Sequence, residues 1–89
     1  MTKDQKLEQQ LFALANVRRL VLLRFLKRKH AATVSAVAKE LRIQIPSASQ
    51  HLNLLYEAEI VTFIKRGRFV FYRISLKQEE QVKAVLRML

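Results

Sequence analysis

The sequence predicts a mainly α fold with a single β-hairpin, in the order α-α-α-α-β-β-α, folded as one domain over residues 1–89. Three observations lead to this prediction. Apolar residues recur at helical spacing through the first two-thirds of the chain and again near its end. Two short runs rich in β-branched and aromatic residues flank the only glycine. One glycine and one proline leave little room for long loops.

The first two predicted helices lie on either side of Asn16, which is suited to cap the second of them. The first helix ends near Ala15, and its apolar stripe has i, i+4, i+7 spacing: Leu7, Leu11 and Leu14. The second helix spans residues 17–29 and has an apolar surface wide enough to place it at the centre of the fold. Its last three residues are cationic, which suits the C-terminal end of a helix dipole.

The third and fourth predicted helices are separated by a short turn over residues 42–44. Ala32 or Thr33 opens the third helix, whose apolar face consists of Val34, Val37, Ala38 and Leu41. Pro46 suits the first turn of the fourth helix, because its fixed φ is helical and its missing N–H would have no partner there. That helix runs to about Ala58, with four residues predicted to point inward: Ala48, Leu52, Leu55 and Tyr56.

A hairpin and a last helix complete the prediction. Residues 61–64 and 69–75 read as strands, joined by a turn of Lys65, Arg66, Gly67 and Arg68. Helical spacing returns from Gln78 in an apolar stripe of Val82, Val85, Leu86 and Leu89. A chain this short buries only about two-thirds of its unfolded surface, so a partner subunit is expected to add stability.

Composition narrows the functional classes. Seventeen Lys and Arg against seven Asp and Glu give a formal charge of +10, which favours a polyanionic partner, nucleic acid first among them. Charge alone leaves RNA, anionic lipid and acidic protein open. The absence of cysteine excludes disulfides, thiolate metal sites and Cys nucleophiles. The longest apolar run is too short to cross a bilayer and the first ten residues lack a signal core, so we expect a soluble, cytoplasmic protein without a membrane partner.

Two short consecutive helices followed by a basic hairpin form the layout of a winged helix-turn-helix, in which the second helix enters the major groove of DNA. The predicted base-contact residues carry amide or hydroxyl groups: Gln44, Ser47, Ser49, Gln50 and Asn53. The predicted phosphate contacts are the wing residues Lys65, Arg66 and Arg68, together with Arg42 beside the turn. For Arg42, and likewise for Arg18, Arg19 and Lys39, phosphate contact and plain surface solubility are equally good interpretations.

Three segments, LANVRRLVLLRFL, AVAKELRIQIPSASQHLNLLYEAEIV and KRGRFVFYRIS, resemble the ArsR/SmtB family of bacterial and archaeal repressors over residues 11–76. The most specific parts are PSASQHLNLL, similar to the recognition-helix pattern S-x-x-S-x-H-L-x-x-L, and GRFVFYRI, similar to the wing strand. The resemblance implies a homodimer that joins the first and last helices, residues 1–15 and 78–89, across a two-fold axis. Predicted interface residues are Leu7, Leu11, Leu14, Val82, Val85, Leu86 and Leu89.

The resemblance does not extend to metal sensing. Many members bind metal through a Cys-x-Cys segment that aligns with Thr33, Val34 and Ser35, whose side chains are poor ligands for soft metals. A second family site uses Asp and His on the last helix, where residues 78–81 offer no His. His30 and His51 lack ligand spacing, and His51 matches a family position that is usually structural. No metal or other cofactor is therefore predicted.

The residues predict a sequence-specific double-stranded DNA-binding transcriptional regulator. The family resemblance implies that it is a repressor, acting as a homodimer on a palindromic operator. No nucleophile, Gly-rich phosphate loop or paired carboxylates indicate an enzyme. The alternative is a winged-helix module for RNA or for protein–protein interaction. The sequence identifies no effector.

Overall fold

The computed structural model describes all residues from 1 to 89 as five helices and a two-stranded antiparallel sheet. The helices are α1 (Lys3–Leu14), α2 (Val17–Lys29), α3 (Val34–Leu41), α4 (Ile45–Glu57) and α5 (Glu80–Met88). The strands are β1 (Val61–Arg66) and β2 (Phe69–Ile74). The predicted order of elements is confirmed. None of the five helices combines the length and the apolar character needed to cross a membrane.

Side chains cap the first three helices. Thr2 Oγ1 accepts a hydrogen bond from the Gln5 N–H at 3.1 Å, and the Gln5 side chain accepts one from the Thr2 N–H at 2.9 Å. Asn16, the predicted cap of α2, accepts from the Arg19 N–H at 3.2 Å. Thr33 accepts a hydrogen bond from the Ala36 N–H, also at 3.2 Å. Of the two predicted starts of α3, Ala32 and Thr33, the cap is therefore Thr33. Replacing such a cap by alanine typically costs about 1 kcal/mol of stability.

One apolar core holds the helices together, and α2 lies at its centre as predicted. α2 contributes Leu22, Leu23, Phe25 and Leu26 to it. The inward faces of the other helices and the start of β1 close around these side chains. The backbones of Ala32 and Tyr72 exchange two hydrogen bonds of 2.8 and 3.0 Å, which attach β2 to the segment preceding α3.

The hairpin differs from its prediction at the turn. Lys65 and Arg66 belong to β1, where they pair with Val70 and Phe69, so only Gly67 and Arg68 form the turn. Gly67 has a φ of +62°, a conformation that glycine adopts without steric cost and that two-residue hairpin turns require at their first position. Backbone pairing therefore extends further toward the wing tip than residue preferences indicated.

Two helix predictions are also corrected. Tyr56 was predicted to point inward but is exposed, because Ala48, Leu52 and Leu55 already fill the buried stripe of α4. α5 begins at Glu80 rather than at Gln78. The Gln78 amide instead donates hydrogen bonds to the Ser75 and Ile60 carbonyls, at 2.8 and 2.9 Å, and fixes the loop that leads into α5.

Candidate nucleic-acid interface

A tight turn sets the angle between α3 and α4. Arg42 ends α3 in the left-handed region at φ 56°, and the Ile43 N–H donates back to the Ala38 carbonyl at 3.0 Å. Gln44 then begins α4 in an extended conformation, without a side-chain capping bond. The predicted turn over residues 42–44 is confirmed. Because the side-chain amide of Gln44 makes no hydrogen bond within its own chain, it is free to bind a ligand at the start of α4.

The outer side of α4 carries the polar residues that the sequence assigned to base contact. Gln44, Ser49, Gln50 and Asn53 are exposed, and Ser47 is half-buried. None of their side chains takes part in the hydrogen bonds that the folded chain makes. These amide and hydroxyl groups are therefore available to a partner, and their role in base contact stays a prediction.

Ile45 is a candidate contact residue that the sequence reasoning missed. It opens α4 next to Gln44, and 51% of its surface is exposed. Helical periodicity gave no signal for this, because exposure at a helix end depends on what the neighbouring segments cover. A branched apolar side chain at this point of a groove-binding helix has the chemistry to contact a thymine methyl group.

The wing is strongly and uniformly cationic. Residues 60–78 contain five basic residues and no acidic residue. Lys65, Arg66 and Arg68 are exposed at its tip, and none of the ion pairs in the structure includes them. Arg42, Arg18 and Lys39 are exposed as well. Unpaired cations concentrated on one hairpin favour a polyanionic ligand.

An exposed aromatic ring lies among these wing cations. Phe69, the first residue of β2, has 51% of its surface exposed. The Arg68 guanidinium lies 5.3 Å from the centre of the Phe69 ring, and the Phe71 ring lies 6.4 Å away. The sequence showed only that Phe69 belongs to an aromatic strand, which did not distinguish it from the aromatic residues that pack inward.

Arg19 is not a phosphate contact, contrary to one reading of the sequence. Only 5% of its surface is exposed. Its guanidinium donates to the Ala13 carbonyl at 2.6 Å and to the Phe12 carbonyl at 3.0 Å, and it lies 3.2 Å from His51 Nδ1. Arg19 therefore joins the carboxyl end of α1 to α4. The position of Arg19 in the sequence predicted a surface cation, whereas in the folded chain its guanidinium donates to carbonyls at the end of α1.

His51 is the α4 partner of this arginine. Burial lowers the pKa of His51 below its usual 6.5, and the charges of Arg19 and then Arg18 lower it further. The ring is therefore neutral near pH 7, and Nδ1 accepts the hydrogen bond from Arg19. This geometry gives His51 a structural role, in agreement with the resemblance.

The predicted dimer residues divide into two groups. Leu14 and Val82 are buried in the core of their own chain. Leu11 is 48% exposed, while Leu7, Val85, Leu86 and Leu89 are half-buried. Phe12 and Met88, which the apolar stripes did not include, are more exposed still. A second copy would therefore meet these exposed and half-buried side chains rather than Leu14 or Val82.

The two helices that carry this apolar surface are fixed to each other. The Gln81 side chain of α5 donates to Gln10 Oε1 of α1 at 2.7 Å, and Gln10 is itself buried, donating to the Ala58 carbonyl at 3.1 Å. The dimerisation role of α1 and α5 stays a prediction.

Thr33 and His51, two of the residues considered above as possible metal-ligand positions, make hydrogen bonds within this chain. The Thr33 hydroxyl, at the Cys-x-Cys position, caps α3. His51 is bonded to Arg19, and no group of three His, Asp or Glu side chains lies close enough together to hold a metal ion.

Known proteins share this architecture. A helix-turn-helix domain family matches residues 14–62. The HTH-type transcriptional regulator MJ1325 of Methanocaldococcus jannaschii is 31% identical over 88 residues, covering 99% of this chain and 96% of that protein. The transcriptional repressor SdpR of Bacillus subtilis is 35% identical over 43 residues, which is 48% of this chain and only about half, 48%, of the repressor.

A solved structure extends the likeness to nearly the whole fold. The homodimeric winged helix-turn-helix DNA-binding domain of Mb0332 from Mycobacterium bovis, a possible ArsR-family transcriptional regulator, matches with a TM-score of 0.79 at 27% identity. The match covers 94% of this chain and 74% of that one. The motifs of α4 and the wing, the order of elements and these relatives agree: the chain belongs to the helix-turn-helix domain family, as a winged helix-turn-helix transcriptional regulator of the ArsR type.

Proposed function

We propose that this protein is a sequence-specific repressor that binds duplex DNA in the cytoplasm as a homodimer, on a palindromic operator, and that it has no catalytic activity. One observation carries the proposal. The outer side of α4 presents unbonded amide and hydroxyl groups directly beside a wing whose cations have no acidic partner. Duplex DNA offers both kinds of complementary group, base edges in the major groove and phosphates along its rim.

α4 and the cations that flank it have different roles in DNA recognition. α4 enters the major groove, where Gln50, Asn53 and Gln44 have the amide geometry to bind adenine N6 and N7. The hydroxyls of Ser47 and Ser49 bind base edges or phosphates. Phosphate contacts come from the cations that flank α4: Arg42, Lys65, Arg66 and Arg68. These charges position the protein along the backbone, and the α4 side chains select the sequence.

The proposed dimer rests on exposed apolar surface. Leu11, Phe12 and Met88 leave apolar side chains in water on α1 and α5, which a second copy would cover. The homodimeric state of Mb0332 supports the same arrangement. A two-fold dimer presents its α4 helices to successive major grooves, about 34 Å apart, and therefore reads a palindrome. The name of SdpR supports repression, in which the bound dimer obstructs RNA polymerase.

The test is selection from a randomised duplex library, run at two salt concentrations and with a chelator present. We expect a palindromic consensus with half-sites about one helical turn apart, and an affinity that falls steeply with salt. The double variant Gln50→Ala/Asn53→Ala is the matched control, because both residues are exposed and their loss leaves the charge unchanged. It should bind DNA without enriching the consensus.

Enrichment of no duplex sequence by the wild-type chain would contradict sequence-specific DNA binding. A parallel selection with single-stranded RNA tests the alternative ligand, and preferential enrichment there would replace DNA by RNA in the proposal. A consensus lost in the presence of the chelator would contradict the metal-free mode of binding.

A further inference from the structure

The outer wing face, defined by Thr62, Ile64, Arg66, Phe69, Phe71 and Arg73, has an unusual composition. Strand pairing sets Arg66 opposite Phe69 and Ile64 opposite Phe71, and paired residues of antiparallel strands project on the same side. The other face includes Val61, Tyr72 and Ile74, which pack on the core. When one face of a hairpin packs on the core, the residues of its other face are normally polar and exposed to water. Here that face is aromatic and cationic.

Phe69 is the most exposed of the three apolar residues on the outer wing face. Half of its surface is exposed, and neither Phe69 nor its neighbours Ile64 and Phe71 belong to the core cluster or to the residues packed against it. Its contacts are the Arg68 guanidinium and the edge of the Phe71 ring. A small polar residue would satisfy the hairpin equally well, so the ring is available for a ligand.

Charge identifies the chemistry of that ligand. Phe69 lies between Arg68 and the register partner Arg66, in a stretch of residues 60–78 that has five basic residues and no acidic one. An uncharged or basic partner would leave this positive charge uncompensated. A surface that places Arg side chains beside an exposed aromatic ring suits a polyanion that also offers apolar surface, such as the sugars and base edges of a nucleic acid.

The contacts between α4 and the wing limit where on a duplex Phe69 can bind. β1 begins four residues after α4 ends, and the Tyr56 ring of α4 packs against Phe63 of β1 with ring centres 5.3 Å apart. Phe63 packs in turn against Tyr72 at 5.6 Å. The wing is thus fixed to α4, so α4 and the wing would contact neighbouring parts of the same duplex.

We propose that Phe69 is a DNA-contact residue whose ring packs against the sugars and base edges of the minor groove flanking each half-site, while Arg66 and Arg68 bind the phosphates on its two sides. This inference rests on the proposed DNA binding. Apolar side chains placed in a minor groove widen it and bend the duplex, as known minor-groove proteins do. Phe69 therefore adds affinity and DNA bending, without adding charge.

The first experiment compares variants of the full chain on the selected operator over a range of salt concentrations. Phe69→Ala should bind roughly tenfold more weakly for each half-site, the loss expected when an apolar contact of about 1.4 kcal/mol is removed from each protomer. The slope of log affinity against log salt should not change, because no charge is lost. Arg66→Ala should reduce that slope by about 0.9 for each phosphate contact removed. Leu76→Ala, which truncates an even more exposed apolar side chain beyond the end of β2, should bind like the wild type.

The second experiment examines the DNA. Methylation of adenine N3 by dimethyl sulfate reports on the minor groove, and energy transfer between dyes at the duplex ends reports on bending. The wild type should protect flanking adenines and shorten the end-to-end distance. Phe69→Ala should do less of both, whereas Phe69→Leu, which keeps an apolar side chain, should retain most of the effect. Unchanged melting temperatures establish that the variants are folded.

The outcomes separate the two proposals. If the wild type selects an operator but Phe69→Ala binds and bends it equally well, the Phe69 contact is overturned and the DNA-binding function stands. If the wild type binds no duplex, or prefers single-stranded RNA or anionic vesicles, the proposed function fails, and the minor-groove contact fails with it.

Discussion

Arg19 and His51 have structural roles in this chain that their residue types alone do not predict. A buried guanidinium is costly unless its donors are bonded, and here the Phe12 and Ala13 carbonyls accept from it. His51 completes the set only while it is neutral. α4 is therefore fixed to the end of α1 by a polar contact that depends on protonation.

This dependence predicts an effect of pH on stability. The folded-state pKa of His51 lies below 6.5, so on acidification the unfolded chain takes up the proton first. The free energy of unfolding contributed by this residue is fully present above pH 6.5 and decreases as the pH falls from there through the lower pKa of the folded state. Melting temperatures at pH 7.5 and 5.5 measure it.

Two variants isolate the histidine responsible. His51→Gln keeps an acceptor for Arg19 but does not titrate, so its melting temperature should change less between the two pH values. His30→Asn, at an exposed histidine, should keep the wild-type difference. An equal decrease in wild type and His51→Gln would assign the effect to other groups.

A second residue-level prediction concerns base readout by Gln50. Gln50→Ala should lower the affinity for the consensus by about 1 to 3 kcal/mol while leaving random DNA almost unaffected, because an amide contact to a base edge carries sequence information and no charge. Competition binding with both duplexes measures the ratio. Equal losses on both would assign Gln50 to the phosphate backbone instead.

Among the secondary-structure elements, the turn between α3 and α4 has a conformational cost. Arg42 is a non-glycine residue at φ 56°, in the left-handed region that favours glycine. Its side chain is exposed and predicted to contact phosphate. Local backbone preference and ligand binding therefore make opposite demands on this position.

Arg42→Gly should consequently be more stable and bind less well. We expect a gain of about 0.5 to 1 kcal/mol in the free energy of unfolding, seen as a melting temperature several degrees higher. DNA affinity should fall, with a shallower salt dependence. His30→Gly, at φ 72° after α2, is the matched control and should gain stability with unchanged DNA binding. A less stable Arg42→Gly would mean that the arginine side chain, rather than the backbone, dominates at this turn.

At the scale of the whole molecule, the proposed contact between two copies rests on the exposed apolar surface of α1 and α5. Leu11→Glu places a charge in the proposed contact between copies and should convert the dimer to a folded monomer, because an unpaired buried charge is strongly unfavourable at an interface. Val17→Glu changes a side chain that is more exposed and lies outside the proposed contact. It should leave the dimer intact.

Sedimentation equilibrium measures the oligomeric state of both variants, and operator binding tests its consequence. The Leu11→Glu monomer should bind a single half-site about as well as the wild-type monomer does, but should lose the added affinity of the palindrome. A Leu11→Glu protein that remains dimeric would place the contact between copies elsewhere on the surface.

Spacing and residue type were enough to predict the order of the elements, the cap at Asn16, the turn before α4 and the cationic wing, because these features depend on neighbouring residues. The choice of Thr33 as the cap of α3, the burial of Arg19 and Leu14, and the exposure of Phe12 and Phe69 became apparent only in the folded chain. Periodicity shows which side of an element is apolar, but which distant segment covers that side, and where the cover ends, depends on packing between elements far apart in the chain.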